Sequence, residues 1–123
     1  MSAVCRVLVV DDDPSVRRAL ERAFRIAGYN VDFAINLREG LEKLNGHQVA
    51  LVDLDLPDGQ GTALLLKIRQ EARPTRVAIY SGLLNAEAIV AACGERPDAL
   101  FKKPMEFDQL LEWVTTPDPT AGK

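Results

Sequence analysis

The residues of this chain that can do chemistry fall in four short segments. Asp11-Asp12-Asp13 precede Pro14, Asp53-Leu54-Asp55 precede Pro57, Ser81 is followed by Gly82, and Lys103 by Pro104. Singly, each has an ordinary structural use: acids before Pro14 cap a helix, an acid at a strand end starts a turn, Ser-Gly is a turn pair and Lys-Pro a surface pair. Together they supply carboxylates, a hydroxyl and an ammonium. Asp11, Asp12 and Asp53, if close together, would repel one another strongly, so the cluster calls for raised carboxyl pKa values or a bound cation. Hard oxygen ligands in a restricted site suit Mg²⁺, which keeps several of its waters, and Lys103 adds one more positive charge. Such a site can bind a phosphoryl group. The cation and Lys103 would neutralise its oxygens, the Ser81 hydroxyl would donate to one of them, and Asp53 would be the in-line nucleophile, giving an aspartyl phosphate.

For these groups to meet, the elements between them must bring four distant points of the chain to one edge. Apolar runs at 4–10, 29–34, 49–53, 76–81 and 99–102 read as strands, the second with Val31, Phe33 and Ile35 at alternate positions. The run at 49–52 is continuously apolar, as a strand covered on both faces should be. A first helix opens at Pro14 behind Asp13, with Val16, Ala19, Leu20, Ala23, Phe24 and Ala27 on one stripe, and ends at Gly28. A second, capped by Asn36, carries Leu37, Leu41 and Leu44 and stops at Asn45-Gly46. Further helices are predicted at 62–71 (Leu64, Leu65, Ile68), at 86–93, and at 106–114 (Phe107, Leu110, Leu111, Val114). Five strands alternating with five helices predict an α/β domain with a parallel sheet covered on both faces. At this length the flavodoxin-like (βα)5 doubly wound order 2-1-3-4-5 is the expected solution. Parallel strands end at a common edge, where the first brings Asp11 and Asp12, the third Asp53, the fourth Ser81 and the fifth Lys103. The domain is expected over residues 1–114, with 115–123 a flexible tail or the start of a linker.

Composition narrows the class. A net charge of −3 gives no support to direct nucleic-acid binding. No apolar run approaches the roughly 20 residues of a membrane helix, and no signal peptide precedes the first strand. Cys5 and Cys93 lack metal-ligand spacing and read as reduced core thiols, so a cytoplasmic location is expected.

With these residues assembled, the chain resembles the receiver domains of two-component response regulators, in a chemotaxis-regulator-like form, over residues 4–114. The acidic pair after the first strand matches Asp11 and Asp12. The phosphoacceptor followed by Pro and Gly matches Asp53, Pro57 and Gly61; the Thr/Ser with a small neighbour matches Ser81 and Gly82; and the Lys-Pro, cis in the family, matches Lys103 and Pro104. The resemblance implies that Asp53 accepts phosphoryl from a phosphohistidine on a sensor histidine kinase or a histidine phosphotransfer protein. It implies Mg²⁺ held by Asp12, Asp53 and the backbone carbonyl of Asp55, with Asp11 acting through a metal-bound water. Lys103 and Ser81 would contact the phosphoryl oxygens. A small shift of the fourth helix, fifth strand and fifth helix would then change binding of a downstream protein target, or act on an output domain beyond the tail. The chain would be a phosphoprotein rather than a turnover enzyme, catalysing at most its own phosphotransfer and dephosphorylation.

Two departures stand out. Leu100 occupies the position, three before the Lys, where the family usually has an aromatic, and Phe101 beside it points to the opposite face of a strand. The Gly-Ala usual before the fifth strand is also missing from 94–99. A degenerate receiver acting only as an interaction module is the alternative that Leu100 favours and the intact acidic set opposes. Asp53-Leu54-Asp55 also resembles the nucleophile motif of haloacid-dehalogenase-type phosphatases. Pro57 stands where that motif has Thr or Val, however, and no acidic pair follows Asp58. A flavin site would need Ser, Thr or Gly where Asp11-Asp12-Asp13 would repel a phosphate. Arg17, Arg18, Arg22 and Arg25 form either a solvated face or a kinase-docking face. Trp113 and the helix at 86–93 either cover the core or offer a surface for a partner or a homodimer.

Overall fold

The computed structural model describes residues 5–103 and 107–116. Along the chain these form β1 (Arg6–Val10), α1 (Pro14–Ile26), β2 (Asn30–Ala34), α2 (Leu37–Glu42), β3 (Val49–Asp53), β4 (Asp55–Leu56), β5 (Gly59–Gln60), α3 (Thr62–Gln70), β6 (Arg76–Ser81), α4 (Ala86–Ala92), β7 (Ala99–Lys102) and α5 (Phe107–Thr115). Among the described residues the five longer strands make one parallel sheet in the order β2-β1-β3-β6-β7, which is the expected doubly wound order.

The central strands β1 and β3 are apolar along most of their length because helices cover both faces. One layer joins Val7, Val9, Leu51, Ala78 and Tyr80 to Leu20 and Phe24 of α1 and Leu110 and Val114 of α5. The other joins Leu8, Val10, Val52 and Ile79 to Leu64, Leu65 and Ile68 of α3 and Ala86 and Val90 of α4. Register then sets the site. Val10 lies beside Val52, so Asp11 and Asp53 emerge next to each other at the ends of the two central strands. Asp53 pairs with Tyr80, and Ser81 with Lys102, which carries the same edge across to Lys103.

Several boundaries and faces differ from the sequence reading. Position 4, Pro104 with the expected cis bond, Glu106, the Phe107 side chain and 117–123 lie outside the described residues. Tyr29 precedes β2 and packs its ring 6.1 Å from that of Phe24. Ile35, expected to alternate inward, is exposed because β2 is an edge strand and ends at Ala34. Helix α2 stops at Glu42; Leu41 is exposed, and Leu44 is buried from the turn that follows. The segment after β3, read as a loop, contains the small antiparallel hairpin β4–β5.

Candidate functional site

The site sits at the carboxyl edge of the sheet, in an open cleft lined by Asp12, Asp13, Asp53, Asp55, Gly82, Leu83 and Lys103. Asp11 and Asp53 are buried, whereas Asp12 and Asp55 are exposed at the rim. One carboxylate oxygen from each of Asp11, Asp12 and Asp53 lies within 4.8 Å of the others. Lys103 Nζ donates to Asp53 Oδ2 at 2.9 Å and stands 3.7 Å from Asp11 Oδ2. The Asp55 N–H donates to Asp53 Oδ1 at 3.1 Å, so both acceptor oxygens are aimed by neighbours. Ser81 is buried beside the cleft, and its Oγ accepts the Leu83 N–H at 3.0 Å, leaving the hydroxyl proton to donate elsewhere. The sheet edge therefore gathers Asp11, Asp12, Asp53, Asp55, Ser81 and Lys103.

Local structure explains how each group is held. Asp13 caps α1, accepting from Ser15 N at 2.9 Å, and Pro14 opens that helix. The capping N–H of Ser15 keeps the Asp13 carboxyl below the ordinary range. Asp11 Oδ1 accepts the Asp13 N–H at 2.8 Å, and Arg17 donates to the Asp11 carbonyl at 3.2 Å, so Arg17 belongs to the wall of the site as well as to the α1 surface. Gly61, the N-cap of α3, is packed onto Asp53 itself: a Cβ there would lie 2.4 Å from the Asp53 carbonyl oxygen.

Two contacts at the site were not anticipated. Tyr80, wholly buried on β6, donates its hydroxyl to Asp11 Oδ2 at 2.7 Å. The available signal is a tyrosine just before the end of a strand whose middle, Val77-Ala78-Ile79, is aliphatic, since a buried phenol needs a partner. Asp58 accepts the N–H groups of Leu37 and Arg38 at 2.7 and 3.0 Å, tying the β4–β5 turn to the start of α2. Nothing local in the sequence marks that contact.

The charges are unevenly balanced. Burial pushes the Asp53 carboxyl above its ordinary range; Lys103 and the Asp55 N–H pull it down without cancelling the effect. Burial also works against the Lys103 charge, but the hydrogen bond to Asp53 and the charges of Asp53, Asp11 and Asp13 outweigh it and leave its pKa raised. Burial, reinforced by Asp11, holds the Tyr80 hydroxyl well above its usual range, so it remains a donor. A concentration of hard carboxylate oxygens with an exposed member at Asp12 fits a small divalent cation that retains water.

The sequence matches the response regulator receiver domain family over residues 7–115. The chain belongs to that family. The receiver domain is 31% identical over 108 residues to the cell cycle response regulator CtrA of Brucella ovis, covering 86% of this chain and 47% of the relative. It therefore spans about half the length of the curated relatives it matches. Among solved structures, a CheY-like receiver domain protein from Methanospirillum hungatei is 32% identical with a TM-score of 0.78, covering 91% of each chain. The Thermotoga maritima response regulator TrrA, solved in complex with Mg²⁺-BeF, is 25% identical with a TM-score of 0.78, covering 90% of this chain and 96% of that one.

The receiver domain's departures from the family pattern can now be placed. Leu100 packs in the α3–α4 layer and Phe101 in the α1–α5 layer, as expected of neighbours on a strand. Phe101 meets Trp113 edge-on at 6.3 Å, and the Arg76 guanidinium lies 4.2 Å from the Trp113 ring centroid. Trp113 is half-buried by these contacts. Among the described residues no helix is long and apolar enough to cross a membrane.

Proposed function

We propose that Asp53 is the phosphoacceptor of this receiver domain. The observation that supports it most is the Asp53 carboxylate at the strand edge, bonded to Lys103 and clustered with Asp11 and Asp12. An Asp53 oxygen attacks phosphorus, the bond from phosphorus to the donor's imidazole nitrogen breaks, and that nitrogen keeps the electron pair. Lys103 moves its hydrogen bond from the carboxylate to a phosphoryl oxygen, and the Ser81 hydroxyl donates to another. Asp12, Asp53 and the Asp55 carbonyl would hold Mg²⁺, with Asp11 acting indirectly beside them. When bound, such an ion would help neutralise the negative charge that gathers on the phosphoryl oxygens. The domain speeds its own phosphotransfer and dephosphorylation but releases no turnover product from a separate substrate.

The donor is a sensor histidine kinase or a histidine phosphotransfer protein in the cytoplasm, docking on the exposed Arg18 and Arg22 of α1. The recipient of the signal is a protein, either a separate target or an output domain joined beyond residue 114 through 115–123. New charged contacts at Ser81 and Lys103 favour a shifted arrangement of α4, β7 and α5, which alters that partner's binding. The test compares donors. Charge reversal at Arg18 and Arg22 should slow transfer from the phosphorylated kinase at least tenfold and leave transfer from acetyl phosphate unchanged. Equal rates from the kinase would exclude this docking face. The adduct should be labile to hydroxylamine, as an acyl phosphate is; a stable adduct would exclude Asp53 as its carrier.

A further inference from the structure

We propose that the Tyr80 hydroxyl is a positioning group for Lys103: by occupying Asp11 Oδ2, it keeps the lysine ammonium on Asp53. The inference rests on the phosphoacceptor reading for its functional consequence but not for its geometry. Lys103 has two carboxylates within reach, Asp53 Oδ2 at 2.9 Å and Asp11 Oδ2 at 3.7 Å. Asp11 is the more deeply buried of the two, with no exposed surface against 5% for Asp53, so burial alone would make it the hungrier partner for a cation. What removes that demand is a pair of neutral donors. The Asp13 N–H holds Oδ1 at 2.8 Å, and the Tyr80 hydroxyl holds Oδ2, the oxygen facing Lys103, at 2.7 Å.

Tyr80 cannot turn away from this task. Its ring has no exposed surface and is fixed in the layer containing Leu20, Phe24 and Leu110. The Lys103 ammonium lies 5.1 Å from the ring centroid, so the same residue forms a wall beside the lysine and satisfies its competing partner. Without the hydroxyl, Asp11 Oδ2 would be a buried carboxylate oxygen lacking its donor, and Lys103, whose ammonium is 3.7 Å away, is placed to replace it. A lysine drawn to Asp11 is withdrawn from the place where a phosphoryl group on Asp53 would need it.

Tyr80→Phe removes the hydroxyl and keeps the ring. The readout is the side-chain nitrogen resonance of Lys103, one of five lysines, in the metal-free, lysine-¹⁵N-labelled full chain, assigned with Lys103→Arg. Tyr80→Phe should move that resonance and slow phosphorylation by acetyl phosphate about tenfold, the effect of losing a charge-assisted contact. In an Asp11→Asn background the same substitution should move the resonance no further, because the competing charge is gone. An unmoved resonance in folded Tyr80→Phe, or an equal movement in both backgrounds, would overturn the proposal. If Tyr80→Phe does not fold, Asp11→Asn alone carries the test. Lys103 should stay near its wild-type position, and a shift as large as that in Asp53→Asn would overturn the role. A moved resonance in a protein whose wild type takes no phosphoryl would support the positioning role and refute Asp53 as the acceptor.

Discussion

Replacing Gly61 by alanine is expected to damage stability and chemistry together, because this glycine is packed against the backbone of Asp53. A Cβ built at position 61 lies 2.4 Å from the Asp53 carbonyl oxygen and 2.6 Å from Val52 Cγ1, where ordinary contact begins near 3.4 Å. The backbone oxygen cannot rotate aside, so the start of α3 or the end of β3 must move by about 1 Å. Overpacking a core position costs about 1–3 kcal/mol, and the upper end applies where the obstacle is backbone. A misplacement of about 1 Å at a reacting group costs on the order of a hundredfold in rate. Gly82 is the control. Among the described residues its added Cβ would meet only Lys103 Cβ, at 3.7 Å, and Gly82→Ala should fold and react like the wild type. Urea unfolding and the acetyl phosphate reaction, measured on both variants, decide the matter. A Gly61→Ala protein with wild-type stability and wild-type rate would refute the packing argument.

Other outcomes follow from the same geometry. The Asp53 carboxyl is raised in the folded protein, so the native state holds its proton to higher pH than the unfolded chain does. Stability relative to Asp53→Asn should therefore fall as pH rises from the unfolded carboxyl's range, near 3.8, through Asp53's own raised value, and then level off. Unfolding midpoints taken across that interval in chelator would contradict the assignment if the slope had the opposite sign. Mg²⁺ at about a hundred times its Kd should stabilise the wild type by about 2.7 kcal/mol, and Asp12→Asn should lose most of that gain; equal stabilisation of both proteins would remove Asp12 from the ligand set. Arg76 donates to the Trp113 and Thr116 carbonyls at 3.1 and 3.2 Å while covering the indole, so Arg76→Ala should cost about 1–3 kcal/mol. An unchanged denaturation midpoint would show that these contacts contribute nothing net.

The fold was legible because its signals are local and repeated. Apolar strand runs, Asp13 with Pro14, Asn36 and Gly28 each reported the element that contains them, and alternation fixed which strand ends share an edge. Legibility weakened where burial depends on neighbours. Ile35 and Leu41 are apolar but exposed, because an edge strand and a short helix cover only part of their surroundings. The hairpin β4–β5 was hidden under residues that also read as a turn. Within the site, Asp11, Asp12, Asp53, Ser81 and Lys103 could be gathered from topology alone. Tyr80 could not, because its partner lies 69 residues away and the strand around it is patterned as plain core. Asp58 escaped for a similar reason, capping a helix 21 residues upstream with no sequence neighbour to announce it.

The central claim is most directly tested by incubating the full chain with acetyl phosphate and Mg²⁺ and measuring its intact mass. The wild type should gain a single phosphoryl group, and the gain should be absent in Asp53→Asn and absent in chelator. A wild type that binds Mg²⁺ yet gains no mass, or an Asp53→Asn protein that gains it equally, would contradict the assignment of Asp53 as the phosphoacceptor.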